Sequence, residues 1–481
     1  MGGRTCKRVE VLFFGAGKKG QYWVKLCKEI GIVPKGILDN AMEMKGKSCE
    51  GIMIHHPDEL EMLSFTHICI TCNRQEEIYR QLTALGVERN KIVAGDHDLL
   101  NLLFHYAVSE PTWFWEEVKP ENLPDERRIL FDLHNGMVLG GVEAWVYGLA
   151  GDLKTRGHKG LYLTTDAAGT GVMDVTFPAK ILNYKEVRDE KERIRQWVKE
   201  IIKNLPCIVI CNFPWNIFWS ACIAKSLFPD LVRIVAVQHN DDQSYYRAYS
   251  LWQEYIDKCL VISSQMEKKL LLLGMDKKKT CRLEWEIECK EKLERTWNGE
   301  GACLQIGYAG RITMRQKRAD LFPVLAMKLR EKGVCFCMNI AGAGDYSDTL
   351  LEQIKKEKLQ ECVMPLGYID RKDVPFFWSR QDIMVSCSEW EGHSISQTEA
   401  MAGGAVPVLT NVSGVEDDVT DGYNGYIVEP GDVDGLVEKI CLLYHDRKML
   451  AAMGKNAHDT IYQRQIHIDQ TGFWERLLKE I

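Results

Sequence analysis

The 481-residue chain lacks any uninterrupted apolar run of the kind a membrane span needs, about 18 to 20 residues. Its opening stretch, "MGGRTCKRVEVLFFGAG", has neither the long apolar core nor the small-residue cleavage site of a secretory signal. Cysteine at position 6 breaks the myristoylation pattern. A basic excess is missing too: the net charge is −7 and the pI is near 6.0, which argues against a nucleic-acid partner. No CxxC pair with metal spacing occurs among the 17 cysteines. They sit instead in apolar runs such as "HICIT", "CIVICN" and "VCFCMNI", where cysteine acts as a small buried hydrophobe. These absences lead us to expect no metal site, a reducing cytoplasmic location and no spanning helix.

What the chain does contain is a soluble-protein balance of 46% hydrophobic and 27% charged residues. An apolar strand, a turn rich in Gly, Asn or Asp, and an amphipathic helix recur along it. This alternation defines an α/β fold with parallel sheets, whose strands read as near-continuous apolar runs because helices cover both faces. Three blocks follow: residues 1–108; after a linker at 109–128 rich in aromatics and prolines, residues 129–295; and residues 296–455, with a closing helical stretch at 456–481.

In the first block, "VLFFGAGKKG" sets Gly15, Gly17 and Gly20 in a GxGxxG pattern between a strand and a helix, and Asp39 ends the next strand. Such glycines let a pyrophosphate approach a helix N-terminus, and the acid could receive ribose hydroxyls. The plainer reading is that they only make the first turn of a Rossmann-like domain. This block resembles the N-terminal domains attached to bacterial sugar-modifying acetyltransferases and capsule enzymes, where the ligand varies. "DHD" at 96–98 imitates a metal-binding DxD motif but lies in this block, and we discount it.

The second block carries Gly140 and Gly141 before an amphipathic helix. In the third, Arg311 follows a strand and Lys317 stands six residues on, a pair able to clamp a diphosphate. Gly342 and Gly344 ("AGAGD"), then Gly367 and Tyr368 ("LGYI"), end further strands. "SEWEGHSISQTEAMAGGA" places Glu391 and Glu399 eight positions apart, across a loop that enters a helix.

In this order, with "EAMAGGAVPV" and "DGYNGYIVEPGD" after them, these motifs resemble the donor-binding domain of family 4 retaining glycosyltransferases of the GT-B fold. "GGVEAWVYGLAGDLKTRGH" and "VAVQHND" resemble the acceptor-side domain. The likeness spans roughly residues 129–455 and implies two Rossmann-like domains in a GT-B arrangement, preceded by an extra one. It implies a nucleoside-diphosphate sugar between the glutamates, with Glu391 on the sugar and Glu399 on the ribose. Arg311 and Lys317 would neutralise the leaving diphosphate without a metal. Backbone N–H groups at Ser394, Ile395 and Ser396 would meet the phosphates, and His239 would face the sugar; Asp241 or Asp242 could serve as an acceptor-side base. His393-Ser394 departs from the Phe-Gly common in the family.

The expected activity is metal-independent, retaining transfer to a carbohydrate or lipid-linked acceptor, with bacterial surface polysaccharide as the default pathway. A nucleotide in the first block and membrane contact through "MEKKLLLLGMDKKK" (266–279) are further expectations. A nucleotide-sugar epimerase and a non-catalytic nucleotide sensor stay as rivals.

Overall fold

The computed structural model describes residues 10–109, 123–134, 136, 141–165, 176–295, 297, 299 and 301–481; Gly140 lies outside them.

The first sheet contains β1 (Val11–Phe14), β2 (Gly36–Leu38), β3 (Ser48–Cys49), β4 (Ile52–His55), β5 (His67–Ile70) and β6 (Ile92–Ala94), with helices α1 (Lys18–Glu29), α2 (Gln75–Ala84) and α3 (Asp96–Ser109). The second contains β7 (Arg128–Leu133), β8 (Gly160–Thr165), β9 (Ala179–Leu182), β10 (Cys207–Cys211), β11 (Val232–Gln238), β12 (Lys258–Val261) and β13 (Thr280–Arg282). Its helices are α4 (Gly141–Thr155), α5 (Glu190–Lys203), α6 (Asn216–Leu227), α7 (Gln243–Leu251) and α8 (Ser264–Leu272). The third contains β14 (Leu304–Ala309), β15 (Phe336–Ala341), β16 (Val363–Gly367), β17 (Ile383–Ser386), β18 (Val406–Thr410) and β19 (Tyr426–Val428). Around these run α9 (Leu321–Glu331), α10 (Ser347–Lys356), α11 (Val374–Ser379), α12 (Ile395–Ala402), α13 (Val433–His445), α14 (Arg447–Gln465) and α15 (Gln470–Glu480).

The strand orders are β3-β4-β2-β1-β5-β6, β13-β12-β11-β10-β7-β8-β9 and β16-β15-β14-β17-β18-β19. Each sheet therefore starts near its middle, grows to one side and then reverses, between β1 and β5, between β7 and β10, and between β14 and β17. Loops at the carboxyl ends of strands flanking such a reversal bind the ligands of open α/β sheets. The third sheet is parallel throughout. The first has one exception, the antiparallel β3–β4 hairpin. Its turn residues Glu50 and Gly51 both take positive φ, 52° and 75°, as a tight hairpin requires. Sequence periodicity does not foresee it, because β3 is two residues long and its turn is Glu-Gly rather than the usual Asn-Gly.

Apolar, β-branched and aromatic residues make the central strands bury every position, as in "VLFF" and "CIVIC". The edge strand β16 buries only its first residue and holds Pro365, which cannot donate to a ladder and is tolerated at an edge. The third core joins Leu304, Ile306, Val385 and Val408 to Phe322, Leu325, Leu436 and Ile440. The described cysteines are all free thiols.

Chain contacts divide the molecule into two compact units. One runs up to Val237, with Asp242–Leu260 and Leu270–Thr280; the other holds Gln238–Asp241, Val261–Lys269 and Cys281–Ile481. Within the first unit, α3 serves two sheets: it packs against β6 and also against α6 and α7. Phe104 stacks on Trp219 with centroids 5.1 Å apart. The buried Asn101 Oδ1 accepts from Trp219 Nε1 at 2.8 Å and Trp252 Nε1 at 3.2 Å.

Candidate active site

The third sheet's reversal brings the loops after β14 and β17 side by side. Close packing of strand ends comes first. Gly342 has φ +135°, and a Cβ there would lie 1.9 Å from Gly310 O; one at Gly344 would lie 2.2 Å from Ile312 O. Backbone bonds from Gly310 to Ala341 (3.0 Å), Ile312 to Ala343 (3.0 Å) and Gly342 to Gly367 (2.7 Å) fasten the loops after β14, β15 and β16 together. Tyr308 donates its hydroxyl to Arg311 O at 2.8 Å.

From this scaffold Arg311 presents an exposed guanidinium, held by Gln316 Oε1 at 2.9 Å. Gln316 in turn ties the two loops, accepting from Glu389 N at 2.8 Å and donating to Trp390 O at 3.2 Å. Lys317 Nζ then meets Glu391 Oε1 at 2.5 Å, with side chains only 16% and 10% exposed. Ser388 Oγ donates to the same oxygen at 2.6 Å. No described residue bonds Oε2.

Past Glu391, Gly392 allows a near-contact that any side chain would block: its Cβ would sit 2.2 Å from His239 O. His239 therefore lies beside the Glu391 loop within the same compact unit. Burial pushes its pKa down to about 3, so the ring is neutral. Ser394 caps α12 by accepting from Gln397 N at 3.3 Å. Ser396 Oγ donates back to Ala309 O, the end of β14, at 2.8 Å. Glu399, on α12, makes no hydrogen bond or ion pair through its carboxylate to the described residues. Burial raises its pKa to about 7, and Arg371 pulls the other way.

The structure thus gathers Arg311, Lys317, Glu391, His239, Gly342 and residues 394–399 around one end of one sheet. Gly367 and Tyr368 stand at the exposed end of β16, Tyr368 being 59% exposed. Gly141 starts α4 in the other compact unit. Asp241 holds Lys269 Nζ at 2.5 Å, and Asp242 caps α7.

In the first domain, a Cβ on Gly20 would meet Gly15 O at 1.9 Å, while nothing lies within 4 Å of one on Gly17. Asp39 ties the glycine turn to the loop after β2, accepting from Ala16 N at 2.8 Å on one oxygen and from Ala41 N at 3.0 Å on the other.

Sequence reasoning missed Ser388, Gln316 and Asp418. Buried Asp418 pairs through Oδ1 with Arg464 NH1 and accepts on Oδ2 from Thr398 Oγ1 at 3.0 Å and Gln397 Nε2 at 3.2 Å. His393 Nε2 lies 3.1 Å from Thr398 Oγ1 and 3.4 Å from Asp418 Oδ2. The departure at His393 thus fits a local network that steadies the first turn of α12. The polar run "VEDDVTDG" was its available signal.

Among the described residues, no group of three or more His, Cys, Asp or Glu could hold a metal ion, and no helix is long and apolar enough to cross a membrane.

Residues 297–460 match the family model described as Glycosyl transferases group 1, and this segment is a domain of that family. Residues 7–93 match the model described as C2185-like, N-terminal. N-acetyl-alpha-D-glucosaminyl L-malate synthase of Bacillus anthracis is 29% identical over 125 residues, 26% of this chain and 32% of that one. Poly(ribitol-phosphate) alpha-N-acetylglucosaminyltransferase of Staphylococcus aureus is 26% identical over 162 residues, 33% of this chain and 32% of that one. The chain spans about a third of the length of these relatives. Among solved structures, S. aureus TarM in complex with fondaparinux, alpha-GlcNAc-glycerol and UDP aligns over 74% of this chain and 99% of its own (TM-score 0.58, 14% identity). Anabaena HepE in complex with UDP-glucose aligns over 74% and 100% (TM-score 0.60, 18% identity). The fold class is that of the GT-B enzymes, preceded by an extra α/β domain.

Proposed function

We propose that the chain is a retaining glycosyltransferase that moves a sugar from a nucleoside diphosphate to a carbohydrate or lipid-linked acceptor. The observation that carries this reading is the Lys317–Glu391 pair at the reversal of the third sheet, beside the start of α12 and the unpaired Glu399 carboxylate. Lys317 and Arg311 would hold the diphosphate and stabilise the charge that develops as the glycosidic bond breaks. The α12 N-terminus would add its partial positive charge through residues 394–396. Glu391 Oε2 and neutral His239 would orient sugar hydroxyls, and Glu399 would receive the ribose hydroxyls. Gly342 would let the backbone approach the phosphates, while Gly367 and Tyr368 would border the nucleoside. No metal is required in this scheme, because two cations and a helix end supply the positive charge.

The likeness to the poly(ribitol-phosphate) alpha-N-acetylglucosaminyltransferase of Staphylococcus aureus supports sugar transfer, with bacterial surface polysaccharide as the proposed setting. HepE with UDP-glucose supports a uridine diphosphate donor. For the first domain we propose no nucleotide, since nothing points to one beyond the glycine turn and Asp39, which accepts from Ala16 N and Ala41 N. Peripheral membrane contact is proposed at Leu272 and Leu273, 86% and 46% exposed, beside exposed Lys277 and Lys278. Sedimentation with anionic vesicles should fall in Leu272→Ser; equal sedimentation of the two proteins would remove that contact.

Thermal stabilisation by UDP-, GDP-, ADP- and dTDP-sugars tests the donor. A ligand at 100 times its Kd adds about 2.7 kcal/mol. The response should be lost in Glu399→Ala. Retention is read from the anomeric proton of the product, and conversion of the donor sugar without an acceptor would indicate an epimerase instead.

A further inference from the structure

The donor scheme leaves unused a group of rings at the carboxyl edge of the second sheet, where β7 and β10 flank the reversal. Phe213 and Trp215 follow β10 and stack at 5.9 Å with planes 19° apart. His134, just after β7, stands 6.3 Å from each of them. Tyr245 meets Trp215 edge-on at 5.3 Å. One more ring comes from the first domain: His97 of α3 lies over Trp215 with centroids 4.9 Å apart and planes tilted by 31°.

Contacts on either side of His97 hold it in place. Its neighbours Asp96 and Asp98 bind Lys19 at 2.8 Å and Arg247 at 2.7 Å, and Asn101 one turn on is clamped by two tryptophans. A ring cluster that served only packing would be hidden. Here His97 is exposed, and Trp215 and His134 are partly so. His134 Nδ1 is itself shielded from solvent and has no hydrogen-bond partner among the described residues. Burial pushes that ring's pKa down to about 4, so it is neutral.

The exposed His97 ring and the partly exposed Trp215 and His134 rings suit a ligand with an apolar C–H face and a rim of hydroxyls. Asp96 is paired with Lys19 and Asp98 with Arg247, so the rings are left without a free cation from α3 to draw a phosphate, and they favour an uncharged ligand. The ligand chemistry is therefore that of a neutral sugar ring.

We infer that His97 and Trp215 form a carbohydrate-binding wall, and that the first domain thereby supplies a specificity residue to the acceptor side of the enzyme. The acceptor role rests on the transferase reading; the binding of a sugar ring does not.

The experiment uses the full chain, with saturation-transfer NMR of the methyl glycosides of glucose, galactose, mannose and N-acetylglucosamine. UDP-induced stabilisation is measured on the same preparations. Wild-type protein should bind at least one glycoside, and His97→Ala should weaken it roughly three- to tenfold, the worth of one ring contact. His97→Phe should restore most of the loss, and Trp215→Ala should abolish binding, with the UDP response unchanged. His97 is exposed, so its removal does not threaten the fold. If no glycoside binds wild-type protein, or if His97→Ala binds like wild type, the wall is disproved. If glycosides behave as expected while UDP never binds, the transferase reading falls and the wall stands.

Discussion

Glu391 Oε1 receives two donors at once, Lys317 Nζ at 2.5 Å and Ser388 Oγ at 2.6 Å. The carboxylate is thereby fixed in rotation, with its second oxygen directed elsewhere, and the lysine is drawn to the end of the sheet where a diphosphate would lie. Lys317→Ala should lower kcat by roughly 10²- to 10³-fold, the usual cost of losing one preorganised charge donor. Lys317→Arg should recover little of it, because a planar fork does not replace a point charge held at 2.5 Å. Ser388→Ala leaves the ion pair and should cost about tenfold or less. Steady-state rates with a saturating nucleotide-sugar decide this; equal losses for the serine and lysine variants would contradict the assigned roles.

Glu399 should make nucleotide-sugar binding depend on pH. Its folded pKa of about 7 lies above the ordinary 4.5, so between those values the folded state holds a proton that the unfolded chain has released. Stability contributed by this site therefore falls as pH rises through that window. Glu399→Gln should match wild type below pH 4.5 and exceed it in stability above pH 7. Ribose hydroxyls are better received by the ionised form, so wild-type affinity for a nucleotide-sugar should tighten as pH climbs through 7, and the Gln variant should stay flat. Calorimetric titration from acid to mildly alkaline pH measures both curves.

The strand–turn–helix alternation was legible because strands covered on both faces write themselves as unbroken apolar runs such as "VLFF" and "LQIGYA". Arg311, Lys317 and Glu391 could be noticed as charged residues just past strand ends. That Lys317 and Glu391 touch could not, since 74 residues separate them and only the parallel pairing of β14 with β17 brings them together. The double service of α3 was equally hidden. Its apolar residues surround the helix, and its partners Trp219 and Trp252 lie 118 and 151 residues from Asn101. The discounted "DHD" proved to be the start of that helix. Asp39 looks like a ribose ligand by spacing, and spacing does not reveal that it also accepts from Ala16 N and Ala41 N.

The glycines of the first domain separate packing from ligand approach. Gly20 has no room for a methyl group, which would fall 1.9 Å from Gly15 O, whereas a Cβ on Gly17 meets nothing within 4 Å. Gly20→Ala should therefore destabilise the chain by about 1–3 kcal/mol, and Gly17→Ala should be neutral or slightly stabilising. Urea denaturation followed by near-UV dichroism makes the comparison. Equal loss in both variants would mean that the GxGxxG turn does more than pack.

Asp418 is the anchor of α12, and it should be the more costly residue to change. Its carboxylate is buried, carries the Arg464 charge on one oxygen and holds Gln397 and Thr398 on the other. Asp418→Asn removes the carboxylate paired with a largely buried guanidinium, which Glu284 and Asp417 still face, a loss of about 1–3 kcal/mol. It also loosens the turn that carries residues 394–399, so donor affinity should drop even where the protein stays folded. His393 adds a pH signature to the same network. Its folded pKa of about 4, set chiefly by burial, lies below the ordinary 6.5, so the unfolded chain binds the extra proton first. Stability is lost as pH falls from about 6.5 towards 4. His393→Gln removes this term while keeping a side chain able to reach Thr398, and should flatten the acid limb of the melting curve. An unchanged acid limb in that variant would transfer the sensitivity to the other histidines whose pKa values burial lowers, His67, His105, His134 and His239.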